Sequence, residues 1–195
     1  MAAACAAWLV AVAMTAASEV SERSDWTVER LVALLKTQRE AEVRFEEATY
    51  SSLLTEPLTA KGVLRFSPPA TMEKEILEPF RERYLVDGDR VLIENSRKGI
   101  KKTVSLNDYP ALRTLVEAFR ASFMGNAGRL QEIYESTVGG DRRKWTLLLR
   151  PRQSEGRTLV DYILFSGREG RIDTIAIRAP DGDRSVMTLR RGTSR

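Results

Sequence analysis

The sequence predicts a mainly β (α+β) protein: an incompletely closed antiparallel β-barrel of about ten strands, with amphipathic helices as a lid over an apolar cavity. Three observations carry this reading. Apolar residues recur with a period of two in a series of short runs. Turn residues separate the runs at short intervals, as in a meander that can curl. Two stretches show helical spacing instead, one ahead of the runs and one between the sixth and seventh. A barrel of this strand number is too wide for short side chains to fill alone, which gives the cavity. A flattened, fully packed sandwich is the other arrangement the pattern allows.

Residues 1–17, MAAACAAWLVAVAMTAA, hold no Asp, Glu, Lys or Arg. Thr15-Ala16-Ala17 offers small side chains for cleavage, and the apolar core is too short to anchor a protein in a bilayer. The stretch reads as an export signal, although its start lacks the usual Lys or Arg. Residues 18–195 are then expected to form a single, soluble, unanchored domain. Cys5 is the only cysteine and leaves with the signal, which excludes disulfides and thiolate chemistry.

In the mature segment, Val28, Leu31, Val32, Leu34 and Leu35 form a helical stripe, with Asp25 or Thr27 as its N-cap. Val43 and Phe45 alternate with Arg44 and Glu46 toward Tyr50 as the first strand. Gly62 to Phe66 is the second, broken by Pro68-Pro69. Met72 to Leu77, Arg83 to Val86, Val91 to Ile93 and Lys102 to Leu106 follow, with turns at Asp87-Gly88 and Arg97-Lys98-Gly99. Asn107 or Asp108 then caps a helix with Pro110 in its first turn and Gly125 as its stop. Its apolar face is Leu112, Leu115, Val116, Phe119 and Phe123. Arg129 to Tyr134 reads as a further helical turn. From Thr137 the period of two returns for about four strands, through Trp145, Leu147 and Leu149 to Pro151, then Val160 to Leu164, Ile172 to Ile177 and Val186 to Leu189. Turns are placed at Gly139-Gly140, Gly167 to Gly170 and Pro180-Asp181-Gly182.

The sequence has no histidine, which removes the usual neutral-pH base, the Ser-His and Cys-His pairs and the commonest zinc ligand. Asp87-Gly88-Asp89 and Asp181-Gly182-Asp183 read as hairpin turns, because neither continues into a calcium loop. No phosphate loop or nucleophile elbow occurs. No catalytic residue, metal or cofactor is expected. The net charge of +4 gathers in clusters at Arg97-Lys98, Lys101-Lys102, Arg142-Arg143-Lys144 and Arg190 onward. In an exported chain these suit solvated turns or transient contact with an anionic membrane or an acidic partner, and not nucleic acid.

Several strings resemble the periplasmic carrier of outer-membrane lipoproteins, the LolA type. They are Gly62-Val63-Leu64-Arg65-Phe66-Ser67-Pro68-Pro69, Tyr84-Leu85-Val86-Asp87-Gly88-Asp89-Arg90-Val91-Leu92, Trp145-Thr146-Leu147-Leu148-Leu149-Arg150-Pro151 and Gly167-Arg168-Glu169-Gly170-Arg171-Ile172. Their order matches across roughly Glu29 to Arg190. The resemblance departs in two places: Pro68 stands where the family has the arginine that locks the empty lid, and Met72, Lys74 and Ile76 stand at its aromatic cavity positions. The chain therefore looks like a divergent LolA-like paralogue.

The resemblance implies a periplasmic, non-enzymatic carrier, expected as a monomer, that moves a lipidated protein or lipid from an inner-membrane exporter to an outer-membrane acceptor. Alternation nominates Phe45, Leu64, Phe66, Met72, Ile76, Tyr84, Trp145, Leu147 and Tyr162 as cavity wall. The helical stripe Leu112, Leu115, Val116, Phe119 and Phe123 would by itself read as core, and the resemblance implies that it is the lid. Lys74 and Arg65 are candidates for the rim or a head group. An inward Lys74 must pair with an acid, reach solvent or meet an anion. The rival readings are a lipoprotein sensor of the same fold, a specialised glycolipid or lipid-like product transporter, and a hydrolase using two carboxylates.

Overall fold

The computed structural model describes residues 26–37, 41–67 and 71–190. Residues 1–17, read as an export signal, Asp25, Pro68-Pro69 and residues 191–195 lie outside the described residues. Helix α1 (Val28–Thr37) begins where the Thr27 hydroxyl accepts the Arg30 amide at 3.4 Å, and it buries Val28, Leu31, Val32 and Leu35.

A meander follows: β1 (Glu42–Tyr50), β2 (Leu58–Ser67), β3 (Thr71–Glu78), β4 (Glu82–Asp87), β5 (Arg90–Asn95) and β6 (Ile100–Ser105). Helices α2 (Pro110–Met124) and α3 (Ala127–Ile133) interrupt it. The chain then forms β7 (Tyr134–Asp141), β8 (Lys144–Pro151), the short α4 (Ser154–Arg157), β9 (Tyr162–Arg168), β10 (Arg171–Arg178) and β11 (Arg184–Arg190).

The strands make one open antiparallel sheet in the order β6-β5-β4-β3-β2-β1-β11-β10-β9-β8-β7. Its centre is the β1–β11 pair, with Phe45 opposite Leu189. The two edges are β6 and β7, which are joined in sequence by α2 and α3. The connecting chain must therefore travel the width of the sheet. Running as helices, it covers one face and leaves the barrel unclosed.

Three expectations change here. The second half has five strands, because Gly139 and Gly140 are paired residues of β7 and the turn falls at Arg142-Arg143. Gly140 has φ 84°, and a Cβ there would lie 2.1 Å from the Lys144 carbonyl oxygen, so glycine serves a close strand approach. Neither Asn107 nor Asp108 caps α2. Tyr109 occupies that place without a side-chain bond, and the Asn107 amide donates to Asp89 at 3.0 Å. Gly125 does end α2, in the left-handed conformation at φ 75°.

Burial divides into a main core and a smaller one. The main cluster joins α1, α3 and the β7–β11 wing through Leu31, Phe45, Leu130, Trp145, Ile163 and Phe165. The smaller joins Val86, Val91, Leu106 and Val116, with Met72, Ile93, Val104 and Leu112 packed against it.

The outer face of β1–β6 carries an ion-pair ladder. Arg65 joins Glu42, Glu73 and Glu75 at 2.8, 3.2 and 2.8 Å, Arg83 joins Glu73 and Glu94 at 2.9 and 3.3 Å, and Lys101 joins Glu94 at 2.8 Å. The hydrogen bond from Arg83 holds the Glu73 carboxyl below the usual carboxylate range. A depressed folded-state pKa stabilises above the unfolded value, and this contribution is lost as pH falls through the folded value. Glu73→Gln should cost at most about 1 kcal/mol at neutral pH, given the partial exposure of the ladder. Urea midpoints across the acid range should also show a flatter loss of stability than in the parent chain.

Candidate functional site

A cavity of about 400 Å³ lies between the two apolar clusters, with the sheet on one side and α2 on the other. Its position follows from strand alternation. In the adjoining strands Phe66, Met72, Val86 and Val91 stand opposite one another on the same face, as do Leu64, Lys74, Tyr84 and Ile93 one step along. From the other wing Ile175, Met187 and Leu189 complete the floor. All five apolar residues read as the α2 stripe, Leu112, Leu115, Val116, Phe119 and Phe123, line the cavity from above. Their rings engage the sheet: Phe123 lies 5.6 Å from Phe66 and Phe119 lies 5.6 Å from Phe165, centroid to centroid. Small residues Ala118, Ala121 and Ser122 occupy the buried remainder of α2, allowing close packing against its helical neighbours.

The nominated wall residues divide. Leu64, Phe66, Met72 and Tyr84 line the cavity, with Lys74 among them. Trp145 and Leu147 do not: they are 1% and 0% exposed inside the main core, because β8 lies where that wing is already filled. Phe45 has the expected facing but is buried in the same core, and Ile76 packs against it from β3. Tyr162 points the other way, toward Arg150, whose guanidinium stands 5.4 Å from its ring centroid. Ile163 and Phe165 take the inner face of β9. Both phases of that strand are apolar, so alternation cannot choose between them. Arg65 borders the cavity, but its guanidinium belongs to the outer ladder, as its place between Leu64 and Phe66 requires. The sequence reading missed Glu47, two residues beyond Phe45 on the same face, and Val86, Val91 and Ile93, which continue the phase of Tyr84.

Residues 16–195 match the family model described as outer membrane lipoprotein carrier protein LolA-like. The chain belongs to this family. Solved structures with a similar fold include a LolA superfamily protein from Nitrosomonas europaea, at 11% identity and TM-score 0.46, covering 85% of this chain and 92% of that one. An uncharacterized conserved protein from Thermus thermophilus is similar at 9% identity and TM-score 0.49, over 87% and 90% of the respective chains. MucB in its complex with MucA from Pseudomonas aeruginosa is similar at 11% identity and TM-score 0.43, over 86% of this chain and 58% of that one. No curated protein matches the chain.

The LolA-like cavity has a polar end. The Lys74 ammonium lies 2.6 Å from the Glu47 carboxylate and 5.4 Å from the centroid of Phe45, and the Ser185 hydroxyl donates to the same carboxylate. Lys74 thus meets the first of its three requirements, pairing with an acid. Tyr84, beside it, donates to Glu82 at 2.6 Å, and burial, aided by that bond, pushes its phenol up to about 12. The phenol is therefore a donor throughout the physiological range.

Helix α2 of this LolA-like chain is tied at identifiable points. The buried Tyr134 hydroxyl donates to the Thr114 carbonyl at 2.8 Å, and Arg120 donates to the Gly88 carbonyl in the β4–β5 turn at 2.6 Å. Glu117 holds Arg120 at 2.6 Å. Polar contacts thus tie α2 to the β4–β5 turn and to the start of β7. The family's arginine position, Pro68 here, lies outside the described residues.

Proposed function

We propose that this LolA-like chain is a periplasmic carrier that takes the acyl chains of a lipidated protein or lipid into the cavity beneath α2 and moves them from inner to outer membrane. The observation that supports it most is the cavity itself: about 400 Å³, walled by Leu64, Phe66, Met72 and the α2 stripe, with the Lys74–Glu47 pair toward one end and Arg171 at the other. An apolar chain suits the part walled by Leu64, Phe66, Met72 and the α2 stripe, and a polar head suits the place beside Lys74, Glu47 and Ser185.

The energetics favour loading with release. Complete burial of a C16 chain would supply about 12 kcal/mol, at about 0.8 kcal/mol per CH₂. Moving α2 aside separates Phe123 from Phe66 and Arg120 from Gly88, and this cost offsets part of the gain. Binding that remains moderate can be reversed by an acceptor with a stronger hold. The chain shows no phosphate loop, so energy for loading is assigned to an inner-membrane exporter.

The test is a titration with a palmitoylated lipopeptide followed by incubation with outer-membrane vesicles. The proposal expects one lipopeptide per chain, recovered chemically unchanged after transfer to the vesicles. Hydrolysis would contradict a carrier. Stable capture with no hand-over would leave a lipoprotein sensor in place of a shuttle.

A further inference from the structure

Away from the cavity, apolar residues stand exposed where apolar residues are costly. In the antiparallel meander the β1–β2, β3–β4 and β5–β6 turns all fall at one end of the sheet, as the pairings Lys61–Glu78, Glu82–Asn95 and Asn95–Ile100 show. Each turn carries exposed hydrophobic groups. Leu53 at the β1–β2 tip is 92% exposed, and Leu58 on its far side is 60% exposed. Phe80 is 46% exposed in the β3–β4 turn, and Ile100 opens β6 at 40%. Leu53, Leu58 and Phe80 lie in or beside these turns, and Ile100 borders a mainly polar hollow of about 350 Å³ that it shares with Arg81, Glu82, Asn95 and Lys101.

The same end has a surplus of positive charge. Arg97 stacks on Phe80 with its guanidinium carbon 4.2 Å from the ring centroid, making one group that is apolar beneath and cationic at its tip. Arg81 and Lys98 are exposed nearby, and no carboxylate partners them among the described residues. The neighbouring acids are already engaged: Glu78 with Lys61, Glu82 with Tyr84 and Asn95, and Glu94 with Arg83 and Lys101. The opposing charges are Glu56 in the β1–β2 loop, Glu82, whose partners are neutral, and Asp181 and Asp183 in the β10–β11 turn at the same end, the last two flanked by Arg178 and Arg184.

We infer that this end of the sheet docks onto an anionic phospholipid bilayer, with Leu53, Phe80 and Ile100 entering the headgroup layer and Arg81, Arg97 and Lys98 meeting lipid phosphates. Exposed apolar turn residues with cations alongside match an interface that is soft and negatively charged. The register adds a second link. Along β3 the cavity's polar group at Lys74 lies closer to these turns than its apolar part at Met72. Docking therefore presents the polar end of the cavity to the bilayer. The inference concerns a surface separate from the cavity, so it can fail while acyl uptake survives.

Co-flotation of the full mature chain with vesicles of phosphatidylglycerol and phosphatidylethanolamine tests it, with phosphatidylcholine vesicles for comparison. The wild type should float with the anionic vesicles, lose this with added salt, and float poorly with phosphatidylcholine. Phe80→Ser/Ile100→Ser and Arg97→Glu/Lys98→Glu should each weaken binding by about tenfold or more. Arg143→Glu/Lys144→Glu, in the β7–β8 turn at the opposite end, should float like the wild type. Lipopeptide uptake should be unchanged in all three variants, which shows that they are folded and isolates the docking surface from the cavity. Failure of the wild type to float, equal flotation of the first two variants, or loss confined to the third would overturn the inference.

Discussion

Leu64→Trp and Met72→Trp are each expected to weaken lipopeptide uptake by roughly a hundredfold while leaving the protein folded. Both side chains are half-buried and face the cavity, so an indole can expand into open volume instead of into packed neighbours. Excluding three or four methylenes from the site removes about 3 kcal/mol, which is about two decades in affinity. The effect should grow with acyl length until the remaining space is filled and then level off. Fluorescence titration with lipopeptides of increasing chain length reads this directly. Unchanged affinity in both variants would mean that the acyl chain binds elsewhere.

Trp145→Ala is expected to do the opposite. Trp145 is among the largest fully buried side chains, sits in the main core, and packs so closely on Gly167 that a Cβ there would come within 2.6 Å of the indole. Removing it should cost about 3–5 kcal/mol of folding stability, the range for large aromatic truncations in a core. Denaturant unfolding should show the loss as a lower midpoint. Under conditions where the variant remains folded, uptake per folded molecule should match the parent. A selective loss of lipopeptide binding at full stability would instead return Trp145 to the cavity wall.

The contrast between these residues shows what alternation in the sequence can resolve. It gives the facing of a strand residue, and on β2, β3 and β4 that was enough to bring Leu64, Phe66, Met72, Lys74 and Tyr84 to one surface. It does not say whether the space above is open or filled. That depends on where α1 and α3 press on the β7–β11 wing, a packing outcome of the whole chain. On β9 the facing itself was ambiguous, because Tyr162 and Leu164 compete with Ile163 and Phe165 for the inner phase. On β7 two glycines looked like a turn, although they serve a close approach between strands. The phase of Val43 and Phe45 could have marked Glu47 as an inward carboxylate, but not as the partner of Lys74, which lies level with Leu64 and Val43 in the register. The stripe on α2 was legible in full. Its large apolar residues mark the cavity side, and its small ones mark the helix-packing side.

The central claim is that the space beneath α2 opens to hold an acyl chain. Distance measurement between spin labels on exposed Arg113 of α2 and exposed Arg44 of β1, with and without palmitoylated lipopeptide, tests it most directly. A longer separation in the loaded state, saturating at one lipopeptide per chain and absent in Leu64→Trp, is the expected result. An unchanged distance at full occupancy would contradict the account.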